Sequence, residues 1–113
     1  MKNITAKYIK QNKKMEKKVL TLTVNKQWFD MIVSGEKIEE YREIKPYWVN
    51  RFLKMLCKRF THALFINGRR KDSPRIEKEI ESITIGKPKK GLCPNEWLGT
   101  DFFVIKLKTE NGK

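Results

Sequence analysis

The stretch SGEKIEEYR at residues 34–42 decides the fold, because a helical pattern ends in it and a strand pattern begins. Its Ser-Gly pair predicts a helix stop, since glycine enters the left-handed conformation of a helix C-terminus without penalty. The residues that follow alternate between two faces of a predicted strand. One face carries Ile38, Glu40, Arg42 and Ile44, and the other carries Lys37, Glu39, Tyr41 and Glu43.

A carboxylate and a guanidinium on a face shared with two isoleucines are uncommon and need a physical reason. In one interpretation Glu40 and Arg42 satisfy each other and nearby backbone groups, which fixes the strand against its neighbour. In the other they line a polar cleft between the first helix and this strand, where a ligand binds. The pattern alone leaves both interpretations open.

The composition limits the class of protein and its partners. A chain of 113 residues with 39% hydrophobic and 11% aromatic residues is typical of one folded domain and argues against global disorder. The net charge of +13 favours polyanionic partners, nucleic acid first and an anionic membrane surface second. No apolar run approaches the length of a membrane span, and no apolar signal region follows the basic N-terminus. We therefore expect a cytoplasmic protein that does not enter the membrane.

The cysteines and the single histidine are too few and too far apart for a zinc site, so we expect neither a metal nor a cofactor. Cys57 falls on an apolar helical face, where a buried thiol is predicted. Cys93 lies beside Pro94 in a loop and could be exposed. Nothing in this usage suggests secretion, which agrees with a reduced compartment.

The charge distribution divides the chain into three parts. Residues 1–18 carry seven lysines and one acid, which predicts a flexible basic arm holding +6 of the total and leaving +7 on the remainder. The arm either follows a phosphate backbone or is a solvated tail without a dedicated role. Residues 19–108 form the predicted domain, and residues 109–113 form a polar tail.

The periodicities predict five strands and two helices. The order is strand, helix, strand, helix and then three strands, with a bulge near Glu81-Ser82 in the fourth strand and one helical turn at residues 96–98. This order predicts an α+β fold, a small and strongly curved sheet or barrel with flanking helices. The predicted strands span residues 19–24, 37–44, 62–67, 76–85 and 102–108, and the helices span 26–34 and 47–60.

Residues 20–42, LTLTVNKQWFDMIVSGEKIEEYR, resemble the ASCH domain, a member of the PUA-like superfamily. The family pattern G-x-K-x-x-E-x-R is matched at Gly35, Lys37, Glu40 and Arg42, and the layout around Lys26 and Trp28 is also similar. The resemblance implies a small PUA-like β-barrel of about five to six strands with two flanking helices. It also implies a cleft lined by the charged motif residues, and RNA as the partner.

Our main hypothesis from the sequence is therefore an RNA-binding domain. The motif cations contact phosphate or a base edge, Glu40 orients Arg42 or accepts from a base amino group, and a tryptophan offers a stacking face. Basic loops at residues 69–75 and 87–90 add salt-sensitive affinity. The predicted binding residues are Lys26, Trp28, Lys37, Glu40, Arg42, Trp48, Arg69 and Arg70.

Two alternatives accompany this hypothesis. One branch of the family hydrolyses an amide of acetylated cytidine with a lysine base, a nearby threonine nucleophile and a glutamate, which makes Lys26 and Glu40 the candidate catalytic residues and a nucleoside the substrate. No Ser or Thr follows Lys26 at the short spacing required, so a non-catalytic domain is favoured. The other alternative is a regulatory domain whose basic surface binds acidic protein partners.

Overall fold

The computed structural model describes residues 16–53 and 60–109, and there the predicted order of elements is confirmed. Neither helix in these two ranges has the length and apolar character needed to cross a bilayer. A single 3-10 turn, Asn95–Trp97, precedes the last strand. The elements are β1 (Val19–Thr23), α1 (Lys26–Ser34), β2 (Glu39–Arg42), α2 (Pro46–Leu53), β3 (His62–Ile66), β4 (Arg75–Gly86) and β5 (Phe102–Leu107).

The second strand is shorter than its alternating pattern predicts. The backbone N–H of Lys37 still bonds to the Met31 carbonyl of α1 at 2.9 Å, so β2 begins only at Glu39. It ends at Arg42, and the side chain of Ile44 is 43% exposed. The prediction that Ile44 lies inward is therefore wrong, because the alternation of a strand does not continue beyond the strand's last residue.

The second helix also has different bounds from those predicted. It begins at Pro46, a residue suited to the first helical turn, and is described as far as Leu53. Phe60, predicted as its last residue, is not helical, because the chain there already leads into β3. Residues 54–59 lie outside the described residues, and the prediction of a buried thiol at Cys57 falls among them. Most of the predicted basic arm lies outside them as well.

The five strands form one mixed sheet in the order β1-β3-β4-β5-β2. Only β1 and β3 run parallel, and the other three pairs are antiparallel. The predicted bulge is confirmed by a register shift between Ile80 and Ser82. The twelve-residue β4 pairs with β3 before this point and with β5 after it, so the bulge lies where the sheet changes partner strands.

The two edge strands approach each other at their C-terminal ends. The Arg42 guanidinium at the end of β2 donates from Nη2 to the carbonyl oxygen of Thr23 at the end of β1, at 3.0 Å. We call the gap between these two strand ends the seam. No backbone ladder joins β1 to β2 in the described ranges, so the sheet is open and the predicted closed barrel is not confirmed.

Two apolar clusters hold the sheet and helices together. The larger one joins alternate residues of β1, β3 and β5 to the inner face of α1, with Leu20, Phe65 and Ile105 fully buried. The smaller one packs Tyr41 and Val104 beneath the loop that connects β4 to β5. Burial of one large apolar side chain contributes about 1.5–3 kcal/mol to the free energy of unfolding. The smaller cluster therefore fixes the loop between β4 and β5 against β2 and β5.

Candidate functional site

A cleft of about 210 Å³ opens at the seam. One wall consists of residues 23–25 at the end of β1 together with Trp28 of α1. The facing wall consists of residues 92–94 and Trp97, in the loop between β4 and β5. Between them lie the charged motif residues Lys37, Glu40 and Arg42, with Tyr41. The cleft predicted between the first helix and the second strand is present.

Lys37 is the most buried charged residue of the cleft, with 2% of its surface exposed. Gly35 turns the chain inward with φ at 88°, a left-handed value that favours glycine. The Lys37 ammonium donates to the Leu92 carbonyl, lies 3.4 Å from Glu40 Oε1, and lies 4.6 and 5.3 Å from the ring centroids of Tyr41 and Trp28. Burial lowers the pKa of Lys37, and the Glu40 carboxylate opposes that shift.

Glu40 and Arg42 continue this chain of charges toward the rim of the cleft. Arg42 Nη2 lies 2.9 Å from Glu40 Oε2, so the carboxylate joins two cations and the three groups together carry one net positive charge. The Arg42 guanidinium also lies 5.5 Å from the ring centroid of Trp48. Its Nε is buried and has no hydrogen-bond partner among the described residues. Glu40 and Arg42 therefore satisfy each other, as the first interpretation requires, and they also line a cleft; binding of a ligand there stays a prediction.

A second buried carboxylate lies behind the cleft. Tyr41 donates its hydroxyl proton to Glu39 Oε1 at 2.8 Å and accepts the backbone N–H of Lys89 at 3.2 Å. The Lys89 ammonium lies 3.4 Å from Glu39 Oε2. Burial is the largest cause that raises the pKa of Tyr41, so its hydroxyl stays a donor. These contacts hold Lys89, in the loop between β4 and β5, against β2, and the alternating pattern did not predict them.

The thiol of Cys93 lies in the wall of the cleft. It is 4% exposed, so the expectation that Cys93 could be exposed is wrong. The thiol packs with the cluster that contains Phe102 and Val104, and its Sγ lies 3.6 Å from the Lys89 carbonyl oxygen. Burial raises the pKa of Cys93, which keeps the group a neutral thiol.

Four of the predicted site residues do not line the cleft. Lys26 is exposed at the start of α1, where its ammonium pairs with Asp30 at 2.6 Å. Trp48 lies behind Arg42 instead of facing the cleft. Arg69 and Arg70 lie exposed in the turn between β3 and β4. The predicted residues that meet at the cleft are Trp28, Lys37, Glu40 and Arg42.

Sequence reasoning missed the wall that comes from the loop after β4. Trp97 ends the single 3-10 turn of this loop and stacks on Phe102, with ring centroids 4.7 Å apart. Trp97 also lines the cleft, together with Trp28. A single tryptophan among glycines and prolines was the only signal in the sequence, and it carries no information about which strand the loop covers.

The comparisons with known proteins add no relatives. No family model matches the chain, and neither the curated proteins nor the solved structures yield a match. In the described part of the chain, no three His, Cys, Asp or Glu side chains are grouped so that they could hold a metal ion. The interpretation of the cleft therefore depends on its own geometry.

The buried ammonium predicts how stability changes with pH. The folded pKa of Lys37 lies below its ordinary value of 10.5, so between those two values the unfolded chain holds a proton that the folded chain does not. The free energy of unfolding then rises with pH across this window, by at most about 1.4 kcal/mol per pH unit. We expect Lys37→Met to remove this contribution.

Urea unfolding of the wild type and of Lys37→Met from pH 7 to 10 measures the difference between the two slopes. Lys26→Met is the control, because that ammonium is exposed and should leave the wild-type slope unchanged. Parallel curves for wild type and Lys37→Met would contradict the prediction.

Proposed function

We propose that this chain is an RNA-binding domain of the ASCH type, and that its cleft holds one base of a single-stranded RNA. The observation that carries the proposal is a connected lysine, carboxylate and guanidinium, Lys37, Glu40 and Arg42, lining a cleft between two tryptophan-bearing walls. Single-stranded RNA is bound through unstacked bases that lie against aromatic rings and form hydrogen bonds along their edges. The cleft offers both kinds of contact.

The size of the cleft supports a ligand no larger than a single base. Pockets for drug-sized molecules occupy roughly 300–1,000 Å³, and this cleft is smaller, at about 210 Å³. Both Trp28 and Trp97 line the cleft, and a base that stacks on either ring gains about 1–3 kcal/mol. The Glu40 carboxylate can accept from a base amino group, and the guanidinium of Arg42, which lines the cleft, can donate to a base edge.

The remaining charge of the protein supports binding to a polyanion. The net charge of +13 attracts phosphate along the strand, and such attraction weakens as salt is added. Some of the basic side chains are paired, because Lys87 contacts Asp101 at 2.9 Å and Lys89 contacts Glu39 at 3.4 Å. Arg69 and Arg70 are exposed in their turn and have no ion pair among the described residues. They are the better phosphate contacts.

The PUA-like barrel is part of this proposal. Three features support it: a five-stranded sheet, a bulge that bends its longest strand, and the 3.0 Å contact between Arg42 and Thr23 that brings the two edge strands together. The proposed barrel is closed at the seam by side chains instead of by a backbone ladder.

Hydrolysis of acetylated cytidine has less support than binding. Lys26, the candidate base, is exposed and paired with Asp30 outside the cleft. The buried Lys37, whose pKa is lowered, would be a better base. Within the described ranges, however, the hydrogen-bond and ion-pair partners of its ammonium are the Leu92 carbonyl and the Glu40 carboxylate, and neither is a hydroxyl nucleophile.

A matched pair of variants tests the proposed function. Arg42→Ala and Lys26→Ala each remove one positive charge, but only Arg42 lines the cleft. We expect Arg42→Ala to weaken binding of a fluorescein-labelled, random-sequence 12-nucleotide RNA by about tenfold or more, since it removes a charge-assisted contact. Lys26→Ala should weaken binding less than about twofold. Fluorescence anisotropy at 50 and 200 mM salt measures both, with circular dichroism to verify folding.

Equal losses in the two variants would mean that the RNA binds the general positive field and not the cleft. Absence of wild-type binding at 50 mM salt would contradict RNA binding altogether. Trp28→Ala provides a second measurement that leaves the charge unchanged, and we expect it to weaken binding by a similar factor.

A further inference from the structure

An exposed aromatic ring lies on α2, beside the cleft. Tyr47 is 61% exposed, more than any other large hydrophobic side chain in the described residues. Its ring meets Trp48 edge-on, with centroids 4.8 Å apart. A large ring that is exposed to water does not contribute the free energy of burial to stability, and exposed apolar surface often marks a binding site.

An arginine lies against the same aromatic group without a carboxylate partner. The Arg51 guanidinium lies 5.6 Å from the ring centroid of Tyr47 and 6.0 Å from that of Trp48. Its Nε is buried and has no hydrogen-bond partner in residues 16–53 and 60–109, where it also forms no ion pair. The guanidinium also lies 5.6 Å from the ring centroid of Phe60, so aromatic rings, and not a carboxylate, surround it. A phosphate oxygen is the acceptor that best fits a guanidinium, and it would bind the terminal nitrogens because Nε is buried.

This surface is linked to the cleft through the contact between Trp48 and Arg42. Trp48 contacts Tyr47 on α2 and also lies 5.5 Å from the Arg42 guanidinium, which lines the cleft. Two arginines with an unpartnered Nε therefore lie against one tryptophan, one at the cleft and one beside the exposed tyrosine. Aromatic rings next to cations are the groups that bind a single-stranded nucleic acid, so this surface suits a strand that continues past the cleft.

We propose that Tyr47 and Arg51 form a second nucleotide subsite. The base that neighbours the one in the cleft stacks on Tyr47, and the phosphate that joins the two nucleotides pairs with Arg51. This inference depends on the proposed function of the cleft. It places the RNA strand across α2 and predicts that the protein binds a dinucleotide more tightly than a mononucleotide.

Competition against the labelled 12-nucleotide RNA tests the second subsite. The unlabelled competitors are a mixture of the four nucleoside monophosphates and a mixture of all dinucleoside monophosphates, which carry no more negative charge than the first mixture. We expect the dinucleotides to compete about tenfold better, because a second base stacks. Tyr47→Ala should reduce this advantage below about twofold and leave competition by the mononucleotides unchanged. Tyr47→Phe should retain it.

Ile85→Ala, which truncates a side chain of similar exposure on β4, should behave as the wild type in both competitions. If mononucleotides compete and dinucleotides do no better, the second subsite is wrong while the cleft proposal survives. Equal weakening of both competitors by Tyr47→Ala would also overturn it. If neither competitor nor the 12-nucleotide RNA binds, both proposals fail together.

Discussion

Replacing Glu40 with alanine should lower the free energy of unfolding by about 3–5 kcal/mol, because the Lys37 ammonium would remain buried without its carboxylate. The Lys37 side chain is 1% exposed and that of Glu40 is 10% exposed, so water cannot replace the lost partner easily. The variant also removes the acceptor that holds Arg42 at the seam. Urea unfolding at pH 7 measures the change.

A surface pair serves as the control for this prediction. Glu43 lies 3.0 Å from Lys45, but both side chains are more than half exposed, and Glu43→Ala should change stability by no more than about 0.5 kcal/mol. The double variant Lys37→Met/Glu40→Ala should recover most of the loss, since the buried charge is then absent. A Glu40→Ala variant as stable as Glu43→Ala would show that the buried ammonium is not maintained by its carboxylate.

The second large effect is expected at Phe103, where Phe103→Ala should cost about 3–5 kcal/mol. Its side chain is 2% exposed, and its ring meets Phe52 of α2 edge-on at 4.9 Å. Phe103 also pairs with Arg42 across β5 and β2. The cavity would therefore loosen the contact between α2 and the sheet, next to the residue that bridges the seam.

The cross-strand neighbour of Phe103 on β4 provides the matched control. Ile85 occupies the paired position but is 55% exposed, and Ile85→Ala should stay within about 0.5 kcal/mol of the wild type. Chemical unfolding and RNA anisotropy should be recorded on the same samples. Similar stability losses in the two variants would contradict the assignment of Phe103 to the core.

The order of elements and the bulge could be predicted because both depend on local patterns. Alternation in residues 19–23 reflects a strand with one buried face, and the apolar run at residues 102–105 reflects a strand buried on both faces. The parity change after Ile80 requires one extra residue in β4. The Ser-Gly pair at residues 34–35 ends α1 for a conformational reason that operates within one turn. None of these features needs knowledge of which strands are neighbours.

The site was predicted only where the motif itself forms it. Glu40 and Arg42 share a side of β2, as their spacing requires. Lys37 was assigned to the opposite side because alternation was extended past the start of the strand, and the turn instead directs it to Glu40. Lys26 is a lysine like Lys37, but it lies on the exposed side of α1. The wall at residues 92–97 has no periodicity, so its position depends on long-range contacts.

The bridge between Arg42 and Thr23 has a consequence for how this scaffold can diversify. Strands joined by a backbone ladder keep a spacing of about 4.8 Å whatever side chains they carry. At the seam a single guanidinium spans the gap, so a shorter residue at position 42 would open this contact while the hydrogen-bonded strand pairs keep their register. The width of the cleft would therefore change by point substitution, without rebuilding the sheet.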